Sequence, residues 1–256
     1  MQDNIKKITS LNNSLIVKLA KLKDKKYRLE EKKFIVEGYH LVEEASKTSH
    51  LLTVIATSKD DLDLFNTQDK ILVTTDIIKK LSSTINPQNI LGIVDMNYQQ
   101  FSIENDLKKT NLKVVMLDDI NDPGNLGTLI RSAAALGYDY VISSPNSVDY
   151  YNDKTIRASQ GSIFKIKLLK SPLDEAIKVL KENKVYIVGT SLKNSSPLSK
   201  LNKYNKLAVI FGNEAHGISE KILNLTDINI CLPMKNDVES LNVSIASGII
   251  MYELNR

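Results

Sequence analysis

Cysteine and histidine are scarce in this 256-residue chain, which contains only Cys231 and the three histidines His40, His50 and His216. A single cysteine excludes an intrachain disulfide and a cysteine-based metal cluster, and histidines so far apart form no ligand pattern. We therefore expect a protein of a reducing compartment that needs no metal ion.

Long apolar runs are missing as well. No segment approaches the roughly 18 apolar residues that a membrane-spanning helix needs, and the first residues, MQDNIKKITSLNN, lack the apolar core of a secretory signal. We expect no membrane association and a cytoplasmic location. The length suits two domains, and 42% hydrophobic and 25% charged residues are typical of globular proteins.

The two common glycine-rich fingerprints are also missing. Neither G-x-G-x-x-G nor G-x-x-x-x-G-K-[ST] occurs anywhere in the chain. Their absence argues strongly against a nicotinamide-dependent oxidoreductase and against a P-loop enzyme. Any nucleotide-like cofactor would have to be held by other loops.

Positive charge is concentrated near the N-terminus, although the net charge of the chain is only +4. Leucines at 11, 15, 19 and 22 predict an amphipathic helix over residues 10–24 with lysines on its outer face. The excess charge favours an anionic partner such as a phosphate backbone; from charge alone, a solvated helix surface is an equal alternative. The candidate phosphate contacts in this region are Lys18, Lys21, Lys25, Lys26 and Arg28.

Predicted strands alternate with predicted helices along the whole chain, which indicates an α/β protein. Strands are predicted at residues 34–36, 51–56, 71–74, 90–94, 112–117, 140–142, 185–188, 207–211 and 228–232. Helices are predicted at residues 40–46, 76–81, 128–136, 173–181 and 243–254. The polar segment 98–110 separates two richer regions, so we predict one domain over residues 1–97, a linker, and a second domain over 111–256.

Three loops of the second domain follow predicted strands, where ligands of α/β proteins gather. The first, LDDINDPGNLGTLIR (117–131), places Asn125 near a helix start and Arg131 where a guanidinium can hold a phosphate bidentately. The second, IFGNEAHGI (210–218), brackets Glu214 between two glycines. The third runs from residue 230 to 234 and leads to Ser240 and Asn242.

Each loop residue also has a purely structural interpretation. Arg131 would commonly form a surface ion pair, and Glu214 would be solvated in an ordinary tight turn. Ser240 or Asn242 would cap the last helix. Each signal is weak by itself; the order and spacing of the three segments are informative.

Taken together, NLGTLIRSAAALG, VIFGNEAHGIS and CLPMKNDVESLNVSIASGIIMYEL, within residues 114–254, resemble the three signature motifs of the SpoU (TrmH-like) RNA ribose 2′-O-methyltransferases of the SPOUT superfamily. Upstream, FIVEGYHLVEEA (34–45) and ILGIVDM (90–96) resemble the ribosomal-protein-like RNA-binding domain that often precedes this catalytic domain.

The resemblance implies a catalytic α/β domain with a parallel sheet, threaded into a trefoil knot, that binds S-adenosylmethionine and acts as a homodimer. The implied catalytic and substrate-positioning residues are Arg131, Asn125, Glu214, Ser240 and Asn242. The implied cofactor-binding residues are Thr190, Ser191, Leu192, Phe211, Gly212, Asn213, Glu214, Gly217, Ile230, Leu232, Pro233, Met234, Ser240, Leu241, Asn242, Val243 and Ala246.

The implied reaction is an in-line displacement at a methyl group, with the 2′-hydroxyl of RNA as the nucleophile. The family's arginine is proposed to activate this hydroxyl, but a guanidinium keeps its proton in proteins. We therefore expect Arg131 to bind RNA phosphate and stabilise the developing alkoxide. The extended N-terminal domain favours ribosomal RNA as substrate, with tRNA as the alternative substrate. A catalytically silent RNA-binding or ribosome-assembly protein with the same fold is the alternative of a different functional class.

Overall fold

The computed structural model describes residues 5–99, 103–192, 195–198, 203–235 and 240–256. The chain divides into two compact units. The first comprises residues 1–100 and the segment Tyr151–Phe164, and the second comprises residues 101–150 and 165–256. None of the helices that the structure describes is long and apolar enough to cross a membrane.

The strands and helices of the described ranges are numbered in chain order. The strands are β1 (Ile5–Ile8), β2 (Lys33–Glu37), β3 (Leu51–Ala56), β4 (Asp69–Val73), β5 (Ile90–Asp95), β6 (Leu112–Asp118), β7 (Tyr140–Ser143), β8 (Lys167–Lys170), β9 (Tyr186–Thr190), β10 (Ser196–Pro197), β11 (Lys206–Gly212) and β12 (Ile228–Cys231). The α-helices are α1 (Ser14–Ala20), α2 (Lys25–Glu31), α3 (Tyr39–Ser46), α4 (Lys59–Asp63), α5 (Thr75–Leu81), α6 (Ile103–Asp106), α7 (Pro123–Ala135), α8 (Asp153–Ser159), α9 (Leu173–Glu182), α10 (Glu220–Leu223) and α11 (Val243–Glu253).

A five-stranded mixed sheet forms the core of the first unit. Its order is β1-β4-β3-β5-β2, with β4 parallel to both β1 and β3 and with β5 antiparallel to β3 and β2. Apolar residues of α1 and α5 pack on this sheet, with Ile16, Ile77 and Ile78 fully buried. The α/β character predicted for residues 1–97 is therefore observed in this unit.

The predicted continuous helix over residues 10–24 is wrong. The structure has α1, a short 3₁₀ turn at Lys21–Lys23, and a separate helix α2. The break occurs because Asp24 adopts an extended backbone and its side chain accepts a hydrogen bond from the backbone N–H of Lys26 (2.9 Å). An aspartate in this role starts a new helix instead of continuing the old one.

The segment Tyr151–Phe164, which the sequence analysis places in the second domain, belongs to the first unit. Its aromatic rings cover the buried Phe34, at centroid distances of 4.8 Å for Tyr151 and 6.3 Å for Phe164. At Gly161, whose φ is +78°, a Cβ atom would lie 2.6 Å from the Cγ of Glu44. Glycine is therefore required at this position both for its backbone conformation and for space.

The second unit is built on a seven-stranded sheet in the order β10-β12-β9-β11-β6-β7-β8, and every pairing between its described strands is parallel. The run from Val114 to Leu117 in β6 and that from Leu207 to Phe211 in β11 are buried, as expected for central strands covered on both faces. Because neighbouring strands run in the same direction, the loops after β6, β9, β11 and β12 emerge at one edge of the sheet.

Helix α7 begins earlier than residue 128, where the sequence places it. Pro123 occupies its first turn, and the carboxylate of Asp122 accepts a hydrogen bond from the backbone N–H of Asn125 (2.8 Å). Proline is favoured at this position because its missing N–H has no partner in the first turn of a helix. Asn125 consequently lies inside the first turn of α7. The sequence analysis also predicts neither the strands β1, β8 and β10 nor the helices α4, α6, α8 and α10, and α6 lies within the predicted linker.

Candidate active site

A tight loop follows β11 and brings the second motif back against the sheet. Asn213 and Gly217 exchange two backbone hydrogen bonds of 3.0 and 2.9 Å. A Cβ atom at Gly212 would lie 2.1 Å from the backbone of Gly217, and Gly217 itself has a φ of +71°. Both glycines of the motif are therefore required by backbone geometry, and the loop between them projects Glu214 toward the start of α7.

The carboxylate of Glu214 is held by donors from the first motif. Its oxygens accept hydrogen bonds from the side-chain amide of Asn125 (2.9 Å) and from the backbone N–H groups of Asp122 (3.3 Å) and Asn121 (3.4 Å). Burial by itself would raise the pKa of Glu214, but these hydrogen bonds outweigh it, so that the pKa lies below the usual value for glutamate. Glu214 is exposed, as the structural interpretation expects, but these hydrogen bonds fix its carboxylate against the first motif.

Asn125 links the second motif to the third. Its side-chain oxygen accepts a hydrogen bond from the side-chain amide of Asn242 (3.0 Å), while its own amide group donates to Glu214. Asn242 in turn caps α11, because its oxygen accepts from the backbone N–H (2.9 Å) and the hydroxyl (2.6 Å) of Ser244. One residue from each of the three predicted motifs therefore belongs to a single hydrogen-bonded chain, Glu214–Asn125–Asn242.

Arg131 lies on α7, two turns beyond Asn125, and is exposed. Its guanidinium has no hydrogen-bond or ion-pair partner among the residues that the structure describes. The surface ion pair that is the common role for such an arginine is therefore not formed within these residues. An exposed arginine without an internal partner is available for an external anion.

The predicted cofactor loops meet at the same edge of the sheet. The backbone N–H of Ser191, after β9, donates to the carbonyl of Ile230 in β12 (3.0 Å), and the hydroxyl of Thr190 donates to the carbonyl of Ile210 in β11 (2.8 Å). Side chains at 192 and 233 are exposed, whereas those of Phe211 and Ile230 are buried. The two buried residues can therefore offer only backbone groups to a ligand.

The remaining predicted residues stand near the start of α11. Ser240, Leu241 and Asn242 are exposed, and Val243 and Ala246 are half-buried in the first turns of the helix. Leu232 and Met234 are half-buried after β12. Residues 236–239 of the third motif lie outside the described residues. Of the two cap candidates, Asn242 caps the helix; Ser240 precedes it.

The basic residues of the first unit differ from one another. Arg28 is 5% exposed and donates from Nη1 to the carbonyl oxygens of Leu22 (3.0 Å) and Lys23 (2.7 Å). The burial argues against the predicted contact of Arg28 with phosphate, because its guanidinium already donates hydrogen bonds to backbone carbonyls of the turn between α1 and α2. Four exposed lysines remain as candidates: Lys18, which pairs with Glu31 at 2.7 Å, Lys21, Lys25 and Lys26.

Two aspartates of the site were not singled out from the sequence. Asp122 caps α7, and the largely buried Asp118 accepts a hydrogen bond from the backbone N–H of Ser219 (2.8 Å), which ties the end of the second loop to β6. The signal for Asp122 was present, because an aspartate directly before a proline is a frequent helix start. Asp118 carries no comparable local signal. No group of three His, Cys, Asp or Glu residues within the described ranges is arranged to hold a metal ion.

Comparison with known proteins identifies this arrangement. Residues 113–252 match the model of the SpoU rRNA Methylase family, and residues 13–92 match the model of the MRM3-like substrate binding domain. The chain belongs to the SpoU methylase family.

Similarity to individual proteins extends over the whole chain. The chain is 34% identical to the 23S rRNA (guanosine(2553)-2′-O)-methyltransferase RlmP of Bacillus subtilis (strain 168), over 98% of this chain and 99% of that protein. An S-adenosylmethionine-bound rRNA methyltransferase from Sinorhizobium meliloti superimposes with a TM-score of 0.85 at 26% identity, covering 98% of this chain and 97% of the other. A solved RNA 2′-O ribose methyltransferase superimposes with a TM-score of 0.82 at 25% identity, and the alignment covers 97% of each chain.

These findings confirm the predicted family, the enzyme class of RNA methyltransferase and S-adenosylmethionine as the cofactor.

Proposed function

We propose that this SpoU-family enzyme transfers a methyl group from S-adenosylmethionine to a ribose 2′-hydroxyl of ribosomal RNA. The observation that carries the proposal is the chain Glu214–Asn125–Asn242, which joins all three motif loops. Arg131 lies on the same helix as Asn125 and has no internal partner in the described residues. A bisubstrate reaction needs such a fixed frame, because its main requirement is to align two reacting atoms.

The loops at this sheet edge suit S-adenosylmethionine. Apolar side chains of Leu192, Leu232, Pro233 and Met234 and the backbone groups of residues 210–217 offer the mixture of apolar walls and hydrogen-bonding groups that a nucleoside needs. The close backbone contact between Gly212 and Gly217 leaves no space for a side chain at Gly212. When bound, the cofactor supplies an electrophilic methyl group.

Arg131 is proposed to hold the RNA phosphate and to stabilise the negative charge that develops on the 2′-oxygen. Its place on α7, whose first turn carries Asn125, fixes it relative to the Glu214–Asn125–Asn242 chain. Glu214 is an unsuitable proton acceptor, because its pKa is already lowered and its oxygens accept three hydrogen bonds. We assign Glu214, Asn125 and Asn242 to positioning, and Ser240 to the same edge as a further ribose-side contact.

Ribosomal RNA is proposed as the substrate for two reasons. The relative from Bacillus subtilis is named for a ribosomal RNA nucleotide and is covered over its full length, including the N-terminal unit. That unit matches a substrate-binding domain model and carries the exposed lysines at 18, 21, 25 and 26. A cytoplasmic location agrees with such a substrate.

A homodimer is part of the proposal. Four large apolar side chains on α11 and directly before it, Leu241 (37% exposed), Ile245 (56%), Ile249 (43%) and Tyr252 (55%), follow one another at intervals of four, four and three residues. This spacing places them on one helix face. A second copy of the chain would cover this face, as the resemblance to the family implies. The trefoil knot expected from the family also remains a proposal.

The test is methyl transfer from radiolabelled S-adenosylmethionine to separated RNA fractions, with purified full-length protein and with Arg131→Ala as the matched variant. Label in one ribosomal RNA that is abolished in the variant supports the proposal, and ribose-methylation mapping then gives the nucleotide. Ribosomal subunits and assembly intermediates are included beside naked RNA, because the enzyme can require a structured particle.

Two outcomes would contradict the proposal. Label confined to tRNA would replace the substrate while keeping the reaction. Absence of cofactor binding in calorimetry would favour a silent RNA-binding protein. Light scattering tests the dimer separately: a monomeric mass at micromolar concentration would contradict it, and Ile245→Lys is expected to dissociate a dimer.

A further inference from the structure

Asp119 has a left-handed backbone at the end of β6, with a φ of +57°. Residues with a side chain rarely adopt this conformation, although aspartate and asparagine tolerate it better than others. Three further non-glycine residues with positive φ occur in the described ranges, Lys32, Gln160 and Lys184, and each follows the end of an α-helix. Left-handed residues are ordinary at helix ends, whereas Asp119 stands where a strand enters the active-site loop.

Two buried serines after β7 hold this conformation. The hydroxyl of Ser144 donates to the carboxylate of Asp119 (2.6 Å) and accepts from the backbone N–H of the same residue (3.0 Å). The hydroxyl of Ser147 lies 2.9 Å from that of Ser144 and accepts from the backbone N–H of Ile120 (3.2 Å). Since Ser144 uses its only proton on Asp119, Ser147 donates to Ser144, and the four groups are mutually satisfied.

The turn at Asp119 contacts the second motif loop and leads directly into the first motif loop. Its carbonyl oxygen accepts from the side-chain amide of Asn213 (2.8 Å), whose own oxygen accepts from the backbone N–H groups of Ala215 (2.8 Å) and His216 (3.2 Å). The same turn directs the chain into the backbone N–H groups of residues 121 and 122, which face Glu214. The conformation of one residue thus determines the placement of the first and second motif loops together.

We propose that Ser144 and Ser147 are positioning residues for methyl transfer. They hold Asp119 in a left-handed conformation, and the carbonyl oxygen of Asp119 in turn holds the cofactor loop 213–217 through Asn213. The effect on methyl transfer rests on the proposed function. Its structural half, the order of loop 213–217, can be measured without any reaction.

The first experiment compares Ser144→Ala and Ser147→Ala with Ser159→Ala. Ser159 is a buried serine of the first unit whose hydroxyl donates one hydrogen bond, to the backbone carbonyl of Ile156. Hydrogen exchange at the amides of Ala215 and His216 should accelerate roughly tenfold in the first two variants, the size expected from one lost hydrogen bond. The Kd for S-adenosylmethionine should rise roughly three- to tenfold by calorimetry, while the KM for RNA stays unchanged. Ser159→Ala should change neither quantity.

The second experiment isolates the backbone conformation. Glycine adopts positive φ without strain, so Ser144→Ala should weaken S-adenosylmethionine binding by no more than about twofold when Asp119→Gly is already present. A serine that only stabilised the fold would weaken binding equally with and without Asp119→Gly. Equal losses in both backgrounds would overturn the role assigned to Asp119.

Three further results decide between these roles. Unchanged exchange at Ala215 and His216 in both serine variants would overturn the inference, whatever the enzyme methylates. Accelerated exchange in a protein whose wild type binds no S-adenosylmethionine would support the structural half and overturn only the proposed function. Loss of thermal stability alone, with cofactor affinity equal to that of Ser159→Ala, would overturn the positioning role.

Discussion

The helical segment of the first unit and the sheet edge of the second unit each carry an arginine that the sequence assigned to RNA phosphate. In the first region, Arg28 is buried and bonded to two backbone carbonyls between α1 and α2. In the second, Arg131 is exposed on α7 and has no partner in the described part of the chain. The same residue type therefore completes the fold in one place and remains available to a ligand in the other.

The difference shows what makes a charged residue functional. A guanidinium that satisfies carbonyl groups lowers the free energy of the folded state and has few donors left for a ligand. A guanidinium left without internal partners contributes little to stability, and its five donors remain for an anion. The two arginines should therefore respond in opposite ways to mutation.

The largest expected effect is on turnover. Arg131→Ala should lower kcat/KM for RNA by roughly a thousandfold, because a charge that stabilises the transition state is lost, and should change the free energy of unfolding by less than about 0.5 kcal/mol. Single-turnover methylation and urea unfolding measure the two quantities. Arg131→Lys separates charge from geometry: near-wild-type rates across the pH range would contradict a specific role for the guanidinium.

The second prediction is the reverse: a large loss of stability with little change in turnover. Arg28→Ala should destabilise the protein by about 2–3 kcal/mol, because buried carbonyl groups of the turn between α1 and α2 lose their donor, while kcat with saturating RNA remains unchanged. Lys25→Ala, an exposed neighbour, is the control and should lie within about 0.5 kcal/mol of wild type. A stable Arg28→Ala protein with weakened RNA binding would restore this residue to the RNA interface.

Glu214 provides an intermediate test at the sheet edge. Glu214→Gln should weaken S-adenosylmethionine binding by about tenfold, because charge-assisted hydrogen bonds become neutral ones. Since the pKa is lowered in the folded state, the carboxylate's contribution to stability is complete above the unfolded value of about 4.3 and is lost as the pH falls through the folded pKa. The difference in unfolding free energy between wild type and variant should therefore be constant above about pH 5.5 and shrink in acid; a constant difference down to pH 3 would contradict the assignment.

The smallest effect is on the salt dependence of RNA binding. Lys25→Ala and Lys26→Ala should each weaken binding a few-fold and reduce the slope of log K against log salt by about 0.7 to 0.9 if the lysine contacts one phosphate. Filter binding between roughly 50 and 200 mM salt measures the slope. Lys18→Ala should change it less, because Lys18 already pairs with Glu31. Unchanged slopes in all three variants would remove α1 and α2 from the RNA-binding surface.

Much of the fold follows from local patterns. The sequence alone indicates the apolar runs of β6 and β11, the glycines at 212 and 217 and a helix cap at Asn242, because each depends on neighbouring residues. Elements with weak local signals, such as β8 and α8, were missed. The helix predicted over residues 10–24 was divided by Asp24, whose capping role competes with helix propensity over only a few residues.

The sequence by itself determined the family, the reaction class, the cofactor and the three loops of the candidate site, because motif spacing and strand runs are properties of contiguous residues. Only the tertiary structure decided which side chains meet. The bonds Asn125–Glu214 and Asn125–Asn242 join residues 89 and 117 positions apart, and Ser144 reaches Asp119 across 25. It also decided that Arg28 is buried, that Tyr151–Phe164 belongs to the first unit, and that Asp119 is held left-handed. The physical reason is that hydrogen-bond partners and burial depend on distances in space, and chain position alone does not specify them.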